Sequence, residues 1–406
     1  MRCDVSLEPQ EMTAMAKNTG KTHDLPILWG APGSGFSGRT RSYLLKKGIP
    51  FQQIFPGHPR FQQEIIPLIG YFVMPVMELT DGTLIQDSTD TLIHFEKCTP
   101  ENPLVPTSPQ QRAIAWLLAF FGSEMLFKIG MHYRWTYLEN DRPFAEATFG
   151  HFFSHHRDMD LQRKDIGPIM AFFDGFLENL GVTEATIPAI EESYFVLLEA
   201  LNDHFLQCPY LLGGRPSPAD FGLMVLMYAH LARDPHSSHI MKLRAPQVYR
   251  WTERMLEPGI VDGEFSDLPP QYMADDALPD TLLPVLQYFF EDNGPEILGM
   301  VETFNAWCDA QTDLKSGTPL RTDPETLSAH PMLGWFSYES RGATFHRQTF
   351  ASALYCFQRA LDEISALEGE GRERFLSTMT RTGGARVAGA ELRRRICLEN
   401  DEYTIA

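Results

Sequence analysis

Positive charge is scarce in this sequence, and its cysteines follow no pairing pattern. Lysine and arginine number 34 against 53 aspartates and glutamates, for a net charge of −19. A nucleic-acid partner would require clustered cations, so DNA or RNA binding is excluded as an expectation. The six cysteines (Cys3, Cys98, Cys208, Cys308, Cys356, Cys397) form no C-x-x-C and no zinc spacing. They read as reduced thiols of a cytoplasmic protein, not as a disulfide framework or a zinc ribbon. The most apolar run, Trp116 to Met131, is interrupted by Glu124 and Lys128, so no membrane insertion is expected. The first residues lack the apolar stretch of a secretory signal. No G-x-S-x-G elbow supports Ser–His–Asp hydrolysis. The glycines at Gly33 and Gly384 lack the Lys-Ser/Thr ending of a phosphate loop.

What remains is a chain of 406 residues, 43% hydrophobic, long enough for two or three domains. Residues 1–24 are polar and aperiodic and read as a flexible arm. Ile27-Leu28-Trp29 is a short apolar run stopped by Gly30-Ala31-Pro32-Gly33, a buried strand meeting a loop. Ser37 to Lys47 has helical character, with Lys46 and Lys47 in the last turn and Gly48 placed to close it. Phe51 to Phe55 reads as a second strand, followed by a short helix. Val76 to Leu79 and Thr83 to Ile85 flank Asp81-Gly82 as a hairpin. A helix from Ser88 to Lys97 completes a β-α-β-α-β-β-α order over residues 25–100, the thioredoxin-like arrangement. Residues 104–257 read as helical, with long amphipathic patterns over Gln110 to Leu138 and Ile187 to Leu206. Ser217 and Asp220 form a capping box ahead of a buried helix, with Pro218 at its first position.

Residues 258–406 have a different character. Between Glu257 and Arg341 about 16 acids stand against 3 bases, while Arg372 to Arg395 reverses to about seven bases and two acids. Helices are expected at Thr281 to Phe290, Glu296 to Ala310 and Phe345 to Leu367. The simplest organisation is an α-rich extension whose basic end docks on its own acidic middle or on the helical domain.

The 230 or so residues after the arm resemble the soluble glutathione S-transferase superfamily. Ser34-Gly35-Phe36-Ser37-Gly38-Arg39-Thr40-Arg41 is similar to the family's S-x-F-S-x-x-V-R segment. Met74-Pro75-Val76 is similar to its V-P-V, whose proline is cis. Gln86-Asp87-Ser88 resembles its E/Q-S glutathione motif, Leu212 to Asp220 its F-L-x-G-x-x-x-S-x-A-D, and Ala245-Pro246 to Trp251 its P-x-x-x-x-W. The resemblance implies an α/β thioredoxin-like N-terminal domain and an all-α glutathione-transferase C-terminal domain, here followed by the α-rich extension. It also implies glutathione as co-substrate, a small apolar electrophile and a homodimer formed through the N-terminal domains.

The chemistry this would require is specific. A free thiol has a pKa of about 8.5, and lowering it by two units favours the anion by roughly 2.7 kcal/mol. A hydroxyl donating to sulfur and the positive end of a helix can supply that. Ser34 lies where both are available, and Ser37 is the alternative or simply a helix N-cap. The loop has no tyrosine for a tyrosine-type site and no cysteine for disulfide exchange. Under the resemblance, Met74 and Pro75 would pair with the cysteinyl backbone of glutathione. Asp87 and Ser88 would hold its γ-glutamyl end at a helix N-terminus, although both are also ordinary capping residues. Asp87 replaces the usual glutamate, Asp90 replaces a small apolar residue, and Gly35 and Gly38 could loosen the loop. The resemblance also places an aromatic segment along the family's apolar substrate pocket, with Tyr133 and Trp135 the candidate pocket residues. His151, His155 and His156, with Asp158 and Asp160, suggest a metal cluster, but spacing fixes no third ligand, so none is expected. The leading expectation is a glutathione transferase. A non-catalytic glutathione-binding or interaction module, and a glutathione-dependent lyase or ether-cleaving enzyme, are the alternatives.

Overall fold

Strands of only two or three residues suffice for the N-terminal sheet because both of its faces are covered. The computed structural model describes residues 17–260, 262–311, 314–321, 331–399 and 402–406. Strands β1 (Ile27–Trp29), β2 (Gln52–Ile54), β3 (Val76–Glu78) and β4 (Leu84–Ile85) lie in the order β2-β1-β3-β4. β1 runs parallel to β2 and antiparallel to β3, which pairs antiparallel with β4. Helix α1 (Gly35–Lys47) follows β1, α2 (Ile66–Ile69) extends a π-helical turn at Phe61–Ile65, and α3 (Ser88–Cys98) follows β4. Alternation sends Leu28 and Met77 toward Tyr43, Leu44, Leu92 and Phe95 of α1 and α3. Ile27, Trp29 and Val76 face Phe61, Ile65 and Ile69 on the other side. The result is a thioredoxin-like layer arrangement.

Part of the expected flexible arm is docked. Residues 1–16 lie outside the described residues, but Thr19 N donates to Gly82 O (2.9 Å), Leu84 N to Lys17 O (2.7 Å) and His23 N to Thr80 O (2.9 Å). Residues 17–23 thus pair along the outer hairpin. Gly82 allows this twice over: its φ is 85°, and a Cβ there would stand 2.4 Å from Lys21 O.

The middle of the chain is all-α: α4 (Pro109–Phe120), α5 (Phe127–Trp135), α6 (Leu138–Phe153), α7 (Met159–Asp174), α8 (Ile187–Gln207), α9 (Pro218–Leu226), α10 (Pro235–Arg244) and α11 (Pro246–Arg254). The continuous pattern read over Gln110 to Leu138 is divided by a π-helical turn at Phe121–Met125. On length and composition Pro109–Trp135 could cross a membrane despite Glu124 and Lys128, but it is almost wholly buried inside the protein. Its π turn crosses α9 very closely. A Cβ on Gly122 would lie 2.5 Å from Leu223 N, and one on Gly222 2.4 Å from Ala119 Cα. The Ser217–Asp220 capping box forms, and the second Asp220 oxygen accepts from Leu211 N (3.0 Å) and Trp251 Nε1 (3.3 Å).

The extension is α-rich, with two hairpins that the sequence reading did not contain. The two helices expected around residue 290 are one, α12 (Leu282–Ala310), which continues through Pro295. The helix expected from Phe345 begins as a strand. β5 (Met332–Ser340) pairs antiparallel with β6 (Ala343–Phe350), and only then does α13 (Ala351–Ser365) start. Alternate burial of Phe345, Arg347 and Thr349 against exposed Thr344 and His346 is the strand period. Helices α14 (Gly369–Thr382) and α15 (Ala385–Ala388) and the hairpin of β7 (Ile396–Glu399) and β8 (Glu402–Ile405) follow. α12 packs on α8 and β5, and α13 and α14 pack on α4, so one apolar core spans both regions.

A buried carboxylate fixes this docking. Glu296 on α12 is fully buried and pairs with Lys128 of α5 and Arg347 of β6, and Tyr338 OH donates to it at 3.1 Å. Burial opposes its charge, but the two cations outweigh that and hold the carboxyl below its usual range. Replacing Glu296 with alanine would strand Lys128 and Arg347. Chemical denaturation should show a loss of about 3–5 kcal/mol. A loss below about 1 kcal/mol would contradict this account.

Candidate functional site

Three backbone features converge at the C-terminal end of β1. The Met74–Pro75 peptide bond is cis. A Cβ on Gly30 would lie 2.5 Å from Ser37 Oγ and 3.5 Å from Pro75 Cβ, so β1, the first turn of α1 and the proline meet there. Ser34 is the N-cap of α1; its partly exposed hydroxyl accepts from Ser37 N at 3.5 Å. A hydroxyl in that position still has its own proton to donate, and the helix end beside it favours an anion. Ser37 is 1% exposed and its hydroxyl has no partner. Of the two serines, only Ser34 is open to a ligand.

The glycines beside Ser34 tighten the loop. A Cβ on Gly33 would strike Phe152 of α6 (2.8 Å), and one on Gly35 would strike Val225 of α9 (2.6 Å). On the far side Arg134 of α5 donates to Gly33 O (3.1 Å) while forking onto Asp234 (2.8 and 3.1 Å) and donating to Ala229 O (2.6 Å). It also donates to His230 Nε2 (2.9 Å). Burial, and then the charges of Arg134 and Arg233, keep His230 neutral. The helical unit therefore clamps the Ser34 loop. Sequence reasoning missed Arg134, although an arginine between Tyr133 and Trp135 in an apolar helix was a signal that it must find partners.

Tyr133 and Trp135 are core residues, 1% and 3% exposed. Tyr133 packs on Tyr194 and Tyr137, and Trp135 on Phe149 and Phe173. The aromatic wall nearest the Ser34 loop is instead Phe152, edge-on to Phe55 with ring centres 5.2 Å apart.

At α3, Asp87 is the N-cap. Its Oδ1 accepts from Thr89 N (2.7 Å) and Asp90 N (2.9 Å), and its other oxygen has no partner among the described residues. Ser88 is 3% exposed and its hydroxyl faces Arg39, whose Nη1 also donates to Thr89 Oγ1 at 2.8 Å. The Ser88 side chain thus serves packing between α1 and α3. Met74 is partly exposed beside the buried Pro75.

The extension closes the far side of α3. Arg359 of α13 pairs with Asp90 (2.6 Å) and with Tyr355 OH (2.8 Å), which gives the unusual Asp90 a partner. Arg39, Thr89, Cys356 and Arg359 line a cavity of about 20 Å³, room for about one water. Close by is Glu124 in the π turn, 8% exposed, with one carboxylate oxygen unpartnered. Burial pushes its carboxyl up to about 7; Arg39 and Cys356 act against the shift and Asp87 adds to it.

His151 and His155 do not share a helix face, because α6 ends at Phe153. His151 stacks edge-on against Phe55, while His155 and His156 lie together in the turn before α7.

No protein-family profile and no curated relative matches the chain. Among solved structures it is similar to the beta-etherase LigF of Sphingobium sp. strain SYK-6, at 18% identity and a TM-score of 0.38, over 57% of this chain and 94% of that one. A glutathione S-transferase of Rhodospirillum rubrum F11 matches at 13% and 0.36, over 64% and 98%. Another, from Ceriporiopsis subvermispora in complex with glutathione, matches at 18% and 0.37, over 57% and 96%. At such identities and scores the functional reading rests on the site itself.

Glu124 makes stability depend on pH. Its folded value lies above the unfolded one of about 4.3, so the folded chain holds a proton that the unfolded chain releases. That contribution is complete below about pH 4 and is lost as pH rises through about 7. Glu124→Gln should stabilise the protein by about 1–3 kcal/mol at pH 8 and little at pH 5, read by urea denaturation. The same change at both pH values would be inconsistent with a buried, neutral carboxyl.

Proposed function

We propose that the chain is a glutathione transferase that activates the glutathione thiol for attack on a small apolar electrophile. The observation that carries this is Ser34, a partly exposed hydroxyl capping α1, the helix whose first turn meets Pro75 of the cis Met74–Pro75 bond across Gly30. In this reading Ser34 Oγ donates to the sulfur as the α1 dipole favours the thiolate, and the backbone at Met74 and Pro75 aligns the cysteinyl unit. The free Asp87 oxygen accepts from the γ-glutamyl ammonium, and the α3 N-terminus faces the carboxylate. Ser88 contributes its backbone only, and Ser37 supports the loop from beneath. The electrophile lies along half-buried Phe55, which buried Phe152 backs, and proximity to the thiolate supplies the rate. The reaction belongs in the cytoplasm, where glutathione is reduced. A homodimer through the N-terminal domains would have to use surface that the extension leaves free.

One observation favours the non-catalytic reading. The Arg359–Asp90 pair brings α13 onto the first turn of α3, where the extension could occupy space a ligand needs.

The test is ultraviolet thiolate absorbance of bound glutathione titrated between about pH 5 and pH 9. Wild type should titrate at least one unit below the free value of about 8.5, a difference of roughly 1.4 kcal/mol. Ser34→Ala should restore the free value, while Ser37→Ala should leave the shift in place. An unshifted thiol in the wild type sinks the transferase reading, and absence of binding favours the non-catalytic one.

A further inference from the structure

The helical unit carries a second cluster of chemistry-bearing side chains that the thiol site does not use. α6 stops at Phe153 because Ser154 turns extended (ψ 144°), and the chain reverses through His155 and His156 into α7. This reversal brings Asp165, on the second turn of α7, back over the two histidines. One ligand atom each from His155, His156 and Asp165 lies within 4.8 Å of the other two. Sequence spacing alone supplied no third ligand, and Asp165 is the residue the fold adds.

We propose that His155, His156 and Asp165 form a binding site for a borderline divalent transition metal such as Zn²⁺. The donor set of two imidazoles and one carboxylate suits that class and disfavours Ca²⁺ and Mg²⁺, which take oxygen ligands. Neither imidazole has a hydrogen-bond partner among the described residues, and the ring centres stand 3.9 Å apart. Two nitrogen donors therefore converge with nothing between them.

The surroundings are built to hold the ligands. Ser154 Oγ donates to Asp165 Oδ2 (2.5 Å), orienting the carboxylate and leaving Oδ1 for an ion. The same Oγ accepts from His156 N (3.1 Å), and Gln162 Nε2 donates to His156 O (2.8 Å). Hydrogen-bonded outer groups of this kind orient metal ligands. Bond lengths near 2.0–2.1 Å require donors about 3.4 Å apart, so side-chain rotations that close each gap by up to about 1.4 Å complete the set. Three protein ligands leave a tetrahedral ion one open position, facing solvent.

The position gives the ion a consequence for the cleft. A Cβ on Gly57 would lie 2.8 Å from Ser154 O, and Gly57 N donates to Phe152 O (2.8 Å). A cation at the turn would therefore stiffen the Phe152 wall beside the Ser34 loop.

Calorimetric titration of the full chain with Zn²⁺ tests this, with Co²⁺ absorbance as an independent readout. Wild type should bind one equivalent saturably, Co²⁺ should give visible bands of tetrahedral strength, and bound Zn²⁺ should raise the melting temperature. His156→Ala and Asp165→Asn should each weaken binding at least about tenfold, and Ser154→Ala about tenfold through lost orientation. His151→Ala, which alters a nearby histidine outside the cluster, should bind as wild type does. Circular dichroism of each variant separates lost binding from lost folding. Absence of saturable binding, or binding unchanged in both His156→Ala and Asp165→Asn, overturns the assignment. Neither result depends on glutathione.

Discussion

The buried charge of Glu296 sets the terms for how the two halves of the molecule meet. A carboxylate with no solvent exposure must find cations, and here they come from separate elements, Lys128 of α5 and Arg347 of β6. α12, the β5–β6 hairpin and the helical unit must therefore be in place together. α13 leaves β6 directly and runs onto α4, where Arg112 forks onto Glu363 with two bonds of 2.7 Å. Phe357 reaches Phe120, with ring centres 4.9 Å apart. At the N-terminus of α4, the Asp276 carboxylate accepts from Gln110 N and Gln111 N, both at 2.9 Å, capping the helix from a distant loop. The extension is thus part of the core of the helical unit.

This has a chemical consequence at α3. With α13 docked, Arg359 neutralises Asp90, and Cys356 joins Arg39 and Thr89 in a seam too small for more than about one water. The polar groups nearest Asp87 are then supplied partly by the extension. The Ser34 loop is held from the opposite side by Arg134, whose five-donor fork ties Gly33 O to Asp234, Ala229 and His230. In the proposed reading the Ser34 hydroxyl must be held in position to stabilise a thiolate, and the clamp would provide that.

The sequence made the N-terminal unit legible because its signals are local: apolar triplets, the Lys46-Lys47-Gly48 helix end and the Asp81-Gly82 turn. It misled where a local signal pointed against tertiary context. Two helices were expected, Thr281 to Phe290 and Glu296 to Ala310, but α12 runs as one through Pro295 with packing on both sides. The β5–β6 hairpin turns on Arg341-Gly342, both at positive φ (45° and 71°), a conformation usually announced by Asn-Gly or Asp-Gly. Tyr133 and Trp135 were attractive as large aromatics, yet neighbours on a helix point about 100° apart, and here the residue between them reaches the loop. Gly35 was read as loosening the loop, whereas it permits close packing on Val225. Asp165 could not be joined to His155 and His156 without knowing that α7 folds back.

A crystal structure of the full chain with glutathione bound tests the central claim most directly. The account predicts the sulfur within hydrogen-bond distance of Ser34 Oγ, the cysteinyl backbone alongside Met74, and the γ-glutamyl group at Asp87. Glutathione bound elsewhere, or a sulfur turned away from the α1 N-terminus, would contradict it.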